Sequence, residues 1–300
     1  MPPRPRSRFV TSSLLRRWPL PRPDEGGDKD ERGRVLVVGG SAEIPGAVIL
    51  AATAALRAGA GKLSVATARS VAAHVAAAVP EARVVSLPQT ARGEIAPSAA
   101  ARLARLAGEH DGVVIGPGMS DGPSAARLLS RLIARLEGPA VLILDAGALD
   151  LLRTEPHALR GRRALITPHP GEMARLRGTG KAQIERDPRG DALRAAAAFR
   201  TVVVLKGSET WIAGPDGTCY GNRTGNVGLA TSGSGDTLSG IVAGLAARGA
   251  EPMQAAVWGV FVHGRAGDRL ARRVAPLGFL ARELLAEVPR LLRQPEGRRP

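Results

Sequence analysis

Between Gly225 and Gly240 the chain reads Gly-Asn-Val-Gly-Leu-Ala-Thr-Ser-Gly-Ser-Gly-Asp-Thr-Leu-Ser-Gly, and an apolar periodic run (Leu238, Ile241, Val242, Leu245) begins directly after the acid. This is the pattern of a small-residue loop opening a helix. Successive amides at Gly233, Ser234 and Gly235 can surround an anion, and the helix N-terminus adds its positive dipole end. Asp236 stands where a carboxylate can take a proton from a hydroxyl approaching a bound phosphate. A plain glycine-rich turn with Asp236 as an N-terminal helix residue has the same local sequence. A carboxylate there adds little as a cap that glycine or serine could not supply, so the loop favours an enzyme acting on a phosphate donor.

Four further groups fall at the ends of apolar runs: Gly116-Pro117-Gly118, Asp145-Ala146-Gly147, Thr167-Pro168-His169-Pro170-Gly171-Glu172, and Lys206-Gly207-Ser208-Glu209-Thr210. Taken singly, each has an ordinary reading. His169 is held rigidly between two prolines and suits a surface turn; Asp145 can cap a helix over 147–152. Glu172 gains from a helix dipole whatever the function. Lys206 stands out because only four of the 42 basic residues are lysines, although Gly207 and Ser208 beside it suit backbone contacts to a nucleotide. Four such ends together with the 225–236 loop predict one site.

No protein-held metal is expected. The histidines (74, 110, 157, 169 and 263) lack zinc-like spacing, and the single cysteine cannot supply a thiolate set. Magnesium arriving with a nucleotide is the expectation, since it keeps several waters and needs few carboxylates. Neither a Walker-type Gly-Lys-Ser/Thr element nor Gly-x-Gly-x-x-Gly follows the first strand, which argues against a dinucleotide-type Rossmann domain.

The elements that must position these residues begin at Arg34. Short apolar strands are predicted over 35–38, 62–66, 84–87, 112–115, 140–144, 164–166 and 201–205. Helical periodicity covers 46–58, about 69–79, 97–108, 123–136 and 188–199. This alternation predicts an α/β fold with a mainly parallel central sheet covered by helices on both faces, whose ligands lie outside the carboxyl ends of the strands. Residues 210–214 and 218–220 flank Pro215-Asp216-Gly217 and predict a hairpin at one sheet edge. Helices follow over 236–248, 252–273 and 278–292.

The bulk numbers agree. An apolar fraction of 44% with 3% aromatics suits helices on a parallel sheet better than an aromatic-rich sandwich. Residues 1–23 hold six arginines and no acid, and 289–300 hold four arginines against Glu296, which leaves +6 of the net +15 for the interior. That remainder forms no aromatic-interleaved stripe, so no nucleic-acid partner is expected. Residues 1–33, rich in arginine and proline, are expected to be a flexible arm, 34–292 one domain and 293–300 a basic tail. No run is long enough for a signal peptide or a membrane span, and the lone Cys219 excludes an intrachain disulfide. A cytoplasmic protein with no membrane partner is the expectation.

The ordered set Pro45-Gly46-Ala47, Gly59-Ala60-Gly61-Lys62-Leu63, Gly116-Pro117-Gly118, Leu144 to Leu149, Thr167 to Glu172, Leu205-Lys206-Gly207, Gly225-Asn226 through Gly233-Ser234-Gly235-Asp236-Thr237-Leu238-Ser239-Gly240, and His263-Gly264-x-Ala266-Gly267-Asp268 resembles the ADP-dependent (S)-NAD(P)H-hydrate dehydratases of the ribokinase-like superfamily. The likeness runs from about 34 to 292. The resemblance implies a lyase of nicotinamide nucleotide repair. Hydrated NADH or NADPH is phosphorylated on its hydroxyl by ADP with Mg2+, then loses phosphate, leaving AMP. It implies Asp236 as base, Ala47, Gly118, His169 and Asp236 against the hydrated nucleotide, and Lys206, Gly207, Ser208, Glu209, Thr210 and Gly235 against the adenine nucleotide. It also implies a homo-oligomer, with a tetramer as one form, and a separate epimerase as functional partner, because no epimerase domain precedes residue 34. Ser232 departs from the family's glycine pair. The competing expectation is an ATP-dependent ribokinase-like kinase of a small hydroxymethyl pyrimidine, thiazole or sugar.

Overall fold

A computed structural model describes residues 8–22, 26 and 28–293. The first seven residues of the expected arm, and all but Arg293 of the expected tail, lie outside the described residues. The strands are β1 (Arg8–Phe9), β2 (Arg34–Val38), β3 (Lys62–Ala68), β4 (Arg83–Leu87), β5 (Gly112–Ile115), β6 (Val141–Leu144), β7 (Ala164–Ile166), β8 (Val202–Leu205), β9 (Thr210–Ala213) and β10 (Cys219–Asn222). The helices are α1 (Ser12–Arg17), α2 (Gly46–Arg57), α3 (Ala72–Ala78), α4 (Ala100–Gly108), α5 (Pro123–Ile133) and α6 (Leu151–Thr154). They continue as α7 (Pro170–Arg177), α8 (Lys181–Arg186), α9 (Pro188–Phe199), α10 (Ser234–Ala247), α11 (Pro252–Arg273) and α12 (Ala281–Leu292).

One sheet runs in the order β1-β10-β9-β8-β7-β6-β5-β2-β3-β4, parallel except where β9 pairs with β8 and β10. Its strands are apolar on both faces, and successive residues part company. Leu36, Val38, Val113, Ile115, Leu142 and Leu144 join one core; Val35, Val37, Val114, Val141 and Ile143 join the other. A sheet covered on both sides accounts for the continuous Val/Ile/Leu runs. Helices α4, α5 and α9 supply apolar side chains to the first core, and α2, α10 and α11 to the second.

The chain moves outward from β2 to β3 and β4, then returns so that β5 lies on the opposite side of β2 (Val35↔Gly112 through Val38↔Ile115). The strand order therefore reverses between β2 and β5. Loops leaving these two strands diverge, opening a crevice at their carboxyl ends.

The N-terminal expectation needs correction. Residues 8–22 are packed onto the domain: β1 adds a parallel strand beside β10 (Phe9↔Gly221), and Val10, Leu15 and Leu20 join the second core. Trp18 stacks on Tyr220 at 5.9 Å, and its carbonyl accepts from Trp258 Nε1 at 2.8 Å. The predicted hairpin forms, but β1 covers what would have been its free edge. A two-residue strand and a six-residue helix are too short for periodicity to reveal.

Candidate active site

The loop that opens α10 is shaped by Gly233, which caps the helix at φ 85, a left-handed angle that glycine adopts freely. Ser232 carries no such angle, as the left-handed non-glycine residues described are Ala146 and Arg200. Serine at this position therefore needs no left-handed backbone angle. Ser234 N–H donates to the Thr231 carbonyl at 3.2 Å, and both Thr237 N–H and its hydroxyl donate to the Gly233 carbonyl. Among the described residues the amides of Gly235 and Asp236 have no acceptor. The free donors of the helix N-terminus thus include these two, while the Ser234 amide is already engaged.

Facing them is Lys206, at the end of β8. An added Cβ on Gly235 would stand 3.4 Å from Lys206 Nζ and 3.8 Å from Asp145 Oδ2, so ammonium, carboxylate and loop meet at one point. Lys206 Nζ donates to Asp145 Oδ1 at 3.0 Å and lies 3.8 Å from Glu172 Oε2. Burial acts to lower the Lys206 pKa, but Asp145 and Glu172 outweigh it and the ammonium is held above its ordinary range. The opposite happens to Asp236. Burial, then the charges of Asp145 and Glu172, push its carboxyl up to about 6, although Lys206 pulls the other way. Three carboxylates around one ammonium leave one acid poised to exchange a proton near neutrality.

Asp145 is not a side-chain cap for the turn that follows β6. The residue after it, Ala146, is held at φ 48, a costly conformation for alanine, and Asp145 is buried (3% exposed). Glu172 does serve its helix: its Oε2 accepts from His169 N–H at 2.7 Å in a reciprocal cap of α7. The other half of that cap is His169 itself, whose Nδ1 accepts from Gly171 and Glu172 N–H at 3.0 and 3.2 Å. Two amides on Nδ1 leave the ring proton on Nε2. Burial lowers the His169 pKa against the pull of Glu172, with Lys206 and Arg175 adding to the effect, so the ring is a neutral donor whose Nε2 lies 3.6 Å from Glu172 Oε1.

On the β2–β5 side, Gly40 N–H donates to the Pro117 carbonyl at 2.8 Å. Gly118 sits at φ 69, where an added Cβ would meet the Ile44 carbonyl at 2.4 Å and Ala47 Cβ at 3.1 Å. Ala47 and Gly118 are thus neighbours lining the switch-point crevice. At Gly116 any added Cβ would collide with the Asp145 carbonyl, so the same loop passes close beside Asp145, which links this half to the Lys206 half. The remaining expected nucleotide residues form the tight connection into β9. Gly207 and Ser208 are exposed, Thr210 begins the strand, and Glu209 pairs outward with Arg223 Nε at 2.6 Å.

The His263-to-Asp268 motif was legible as a pattern without a role. On α11 it forms one stripe against the loop: His263 Nε2 lies 3.0 Å from Ser234 Oγ, and Asp268 Oδ1 accepts from Gly225 N–H at 3.2 Å. Gly264 and Gly267 admit Thr224 and Leu229 at distances no side chain would allow. The helical spacing of these residues was the available signal.

No group of three or more His, Cys, Asp or Glu among the described residues is placed to hold a metal. Asp145 has Oδ1 engaged by Lys206 and Oδ2 turned toward Gly235. This donor set fits a cation held mainly by phosphate oxygens and water, with one carboxylate in reach. It does not fit an all-protein cage.

The family model for NAD(P)H-hydrate dehydratase matches residues 35–290. An ADP-dependent (S)-NAD(P)H-hydrate dehydratase from Xanthomonas campestris is 51% identical over 294 residues, covering 98% of this chain and 99% of that one. The ADP/ATP-dependent NAD(P)H-hydrate dehydratase from Bacillus subtilis, co-crystallised with ATP/Mg2+, superposes with a TM-score of 0.83 at 33% identity, covering 95% and 97% of the two chains. A ribokinase-like superfamily protein from Enterococcus faecalis gives a TM-score of 0.82 at 27% identity over 95% of each chain.

Proposed function

This chain belongs to the NAD(P)H-hydrate dehydratase family, and from that premise we propose how its own residues repair hydrated nicotinamide nucleotides. The fold is ribokinase-like and the enzyme is a lyase of NAD(P)H-hydrate repair. Hydroxide leaves a ring carbon poorly, whereas phosphate leaves well. The repair therefore moves a phosphoryl group from ADP to the substrate hydroxyl, giving AMP. The ring nitrogen's lone pair then expels phosphate, and a proton leaves the adjacent carbon to restore the double bond.

Asp236 is assigned as the base for the first step. With its carboxyl near 6 it is mostly ionised at neutral pH yet basic enough to accept the hydroxyl proton as the phosphoryl group arrives. Lys206, gripped by Asp145 and Glu172, is assigned to the phosphate oxygens together with the free Gly235 and Asp236 amides. His169 presents Nε2–H to the hydrated nucleotide, beside Ala47 and Gly118 in the switch-point crevice. Residues Gly207 to Thr210 flank the adenine nucleotide. Mg2+, carried on the nucleotide, would neutralise phosphate charge, with Asp145 the carboxylate able to hold it. The observation carrying this reading is the meeting of Asp236, Lys206, Asp145 and two unpaired amides at one point of the crevice.

Incubation with hydrated NADH and either ADP or ATP tests it. Absorbance near 340 nm should recover with stoichiometric release of phosphate. A stable phosphorylated product with no recovery would instead mean a small-molecule kinase. The proposal extends to a cytoplasmic setting, in keeping with one buried thiol, and to a separate epimerase supplying the correct epimer. It also includes a homo-oligomer, supported by exposed Val227, Val274, Leu277 and Leu280 around the α11–α12 connection. Light scattering checks the last point.

A further inference from the structure

His263 lies beside the phosphate loop, against Ser234, and the repair reading above gives it no part. Its Nε2 is 3.0 Å from Oγ of Ser234, the first residue of α10. Burial pushes the His263 pKa down to about 4 against a hydrogen bond to the Ser234 backbone, and the Lys206 ammonium adds to the lowering, so the ring is a neutral hydrogen-bonding partner. The segment from Thr224 to Ser234 is tied to α11 near both ends, by Asp268 at Gly225 N–H and by His263 at Ser234. Between the ties, Val227, Ala230 and Ser232 are exposed. The Gly235 and Asp236 amides follow Ser234 directly, so any displacement of Ser234 carries both.

We propose that His263 is a positioning residue for phosphoryl transfer. Its Nε2–H donates to Ser234 Oγ and holds the first turn of α10 where the Gly235 and Asp236 amides meet the transferred group. This rests on the repair reading above. In the opposite tautomer the Ser234 O–H would donate to Nε2, so that only its oxygen lone pairs would face the loop's anion, an electrostatically poorer arrangement. A small misplacement of donors that act only in the transition state lowers kcat and leaves ground-state binding alone.

The test uses the whole chain and the variants His263→Leu, His263→Gln, Ser234→Ala and His263→Leu/Ser234→Ala. His263→Leu and Ser234→Ala should each lower kcat by roughly 10–100-fold, with KM for hydrated NADH within about twofold of wild type. The double variant should be no slower than the slower single one, because both remove the same bond. His263→Gln, whose amide N–H reaches a similar position, should regain most of the lost rate. Nitrogen chemical shifts of the labelled imidazole should report the neutral Nε2–H form. Multiplying effects, no recovery with glutamine, a fall in Tm alone with kcat intact, or an Nδ1–H ring would each overturn the proposal. Wild-type protein that never restores 340 nm absorbance would instead reject the repair reading; the imidazole shifts would still test His263 alone.

Discussion

At the residue scale, Asp236 couples function to stability. Its folded pKa of about 6 lies above the ordinary carboxyl value, so between roughly pH 4 and 6 the folded protein binds more protons than the unfolded chain. Stability therefore falls as pH rises through that window, and the loss persists at neutral pH. Asp236→Asn removes the charge and should raise stability at pH 7.5 by on the order of 2 kcal/mol, seen as a higher Tm, while kcat falls by roughly 10²–10⁴. In the wild type, kcat/KM should lose activity on the acid side with an apparent pKa near 6. A variant as active as wild type, or one less stable at neutral pH, contradicts this account. His169 separates in the same way into a cap and a donor. His169→Asn keeps a side-chain acceptor for the Gly171 and Glu172 amides and loses the Nε2–H. It should hold Tm while raising KM for hydrated NADH with ADP affinity intact. His169→Ala should show the same KM change and also lose about 1 kcal/mol of stability. If both variants alter ADP binding and spare KM, the two halves of the site have been exchanged.

At the scale of elements, α10 is placed by how closely it approaches α2. A methyl added to Gly240 would stand 2.1 Å from the Ala51 carbonyl oxygen, and one added to Gly244 would stand 2.5 Å from the Ala55 carbonyl. Two glycines one turn apart let this helix lie against α2, and its N-terminus carries the phosphate loop. Gly240→Ala should therefore cost about 1–3 kcal/mol, a few degrees of Tm, and should slow turnover because the first turn of α10 moves with the rest. Gly46→Ala is the contrast: nothing lies within 4 Å of the added methyl. Its Tm should match or slightly exceed that of wild type. Equal thermal shifts in the two variants would show that helix propensity, and not the close approach, governs α10.

For the whole molecule, the N-terminal segment is structural. Val10, Leu15 and Leu20 are buried in the second core, and the carbonyls of Trp18, Pro19 and Pro21 accept from Trp258, Gln254 and Arg248. Removing residues 1–22 uncovers the β10 edge and these apolar contacts. Net of the chain entropy released, the loss should be on the order of 2 kcal/mol, or about 4–8 °C in Tm. Unchanged melting of the truncated chain would mean that the segment contributes nothing beyond local order.

The alternating strands and helices, the crevice at the strand ends and the acid-bearing loop were all legible along the chain. These are properties of local pattern: apolar runs with period, glycine where the backbone must turn, a carboxylate where a helix begins. The sequence also singled out Asp145, Glu172 and Lys206, but left capping, dipole and backbone readings open for them, because their partners are far apart along the chain. Only the tertiary structure brought Asp145, Glu172 and Asp236 around one ammonium, and that grouping raises the Asp236 pKa through burial and like charge. The same holds for α11, whose His263–Asp268 stripe acquires a role only when the helix lies against the loop. It holds too for residues 8–22, whose few apolar side chains form no periodic signal and are ordered by the edge strand they meet. Local sequence sets which conformations a segment favours. Long-range packing sets which charges share a cavity, and the chemistry depends on the second.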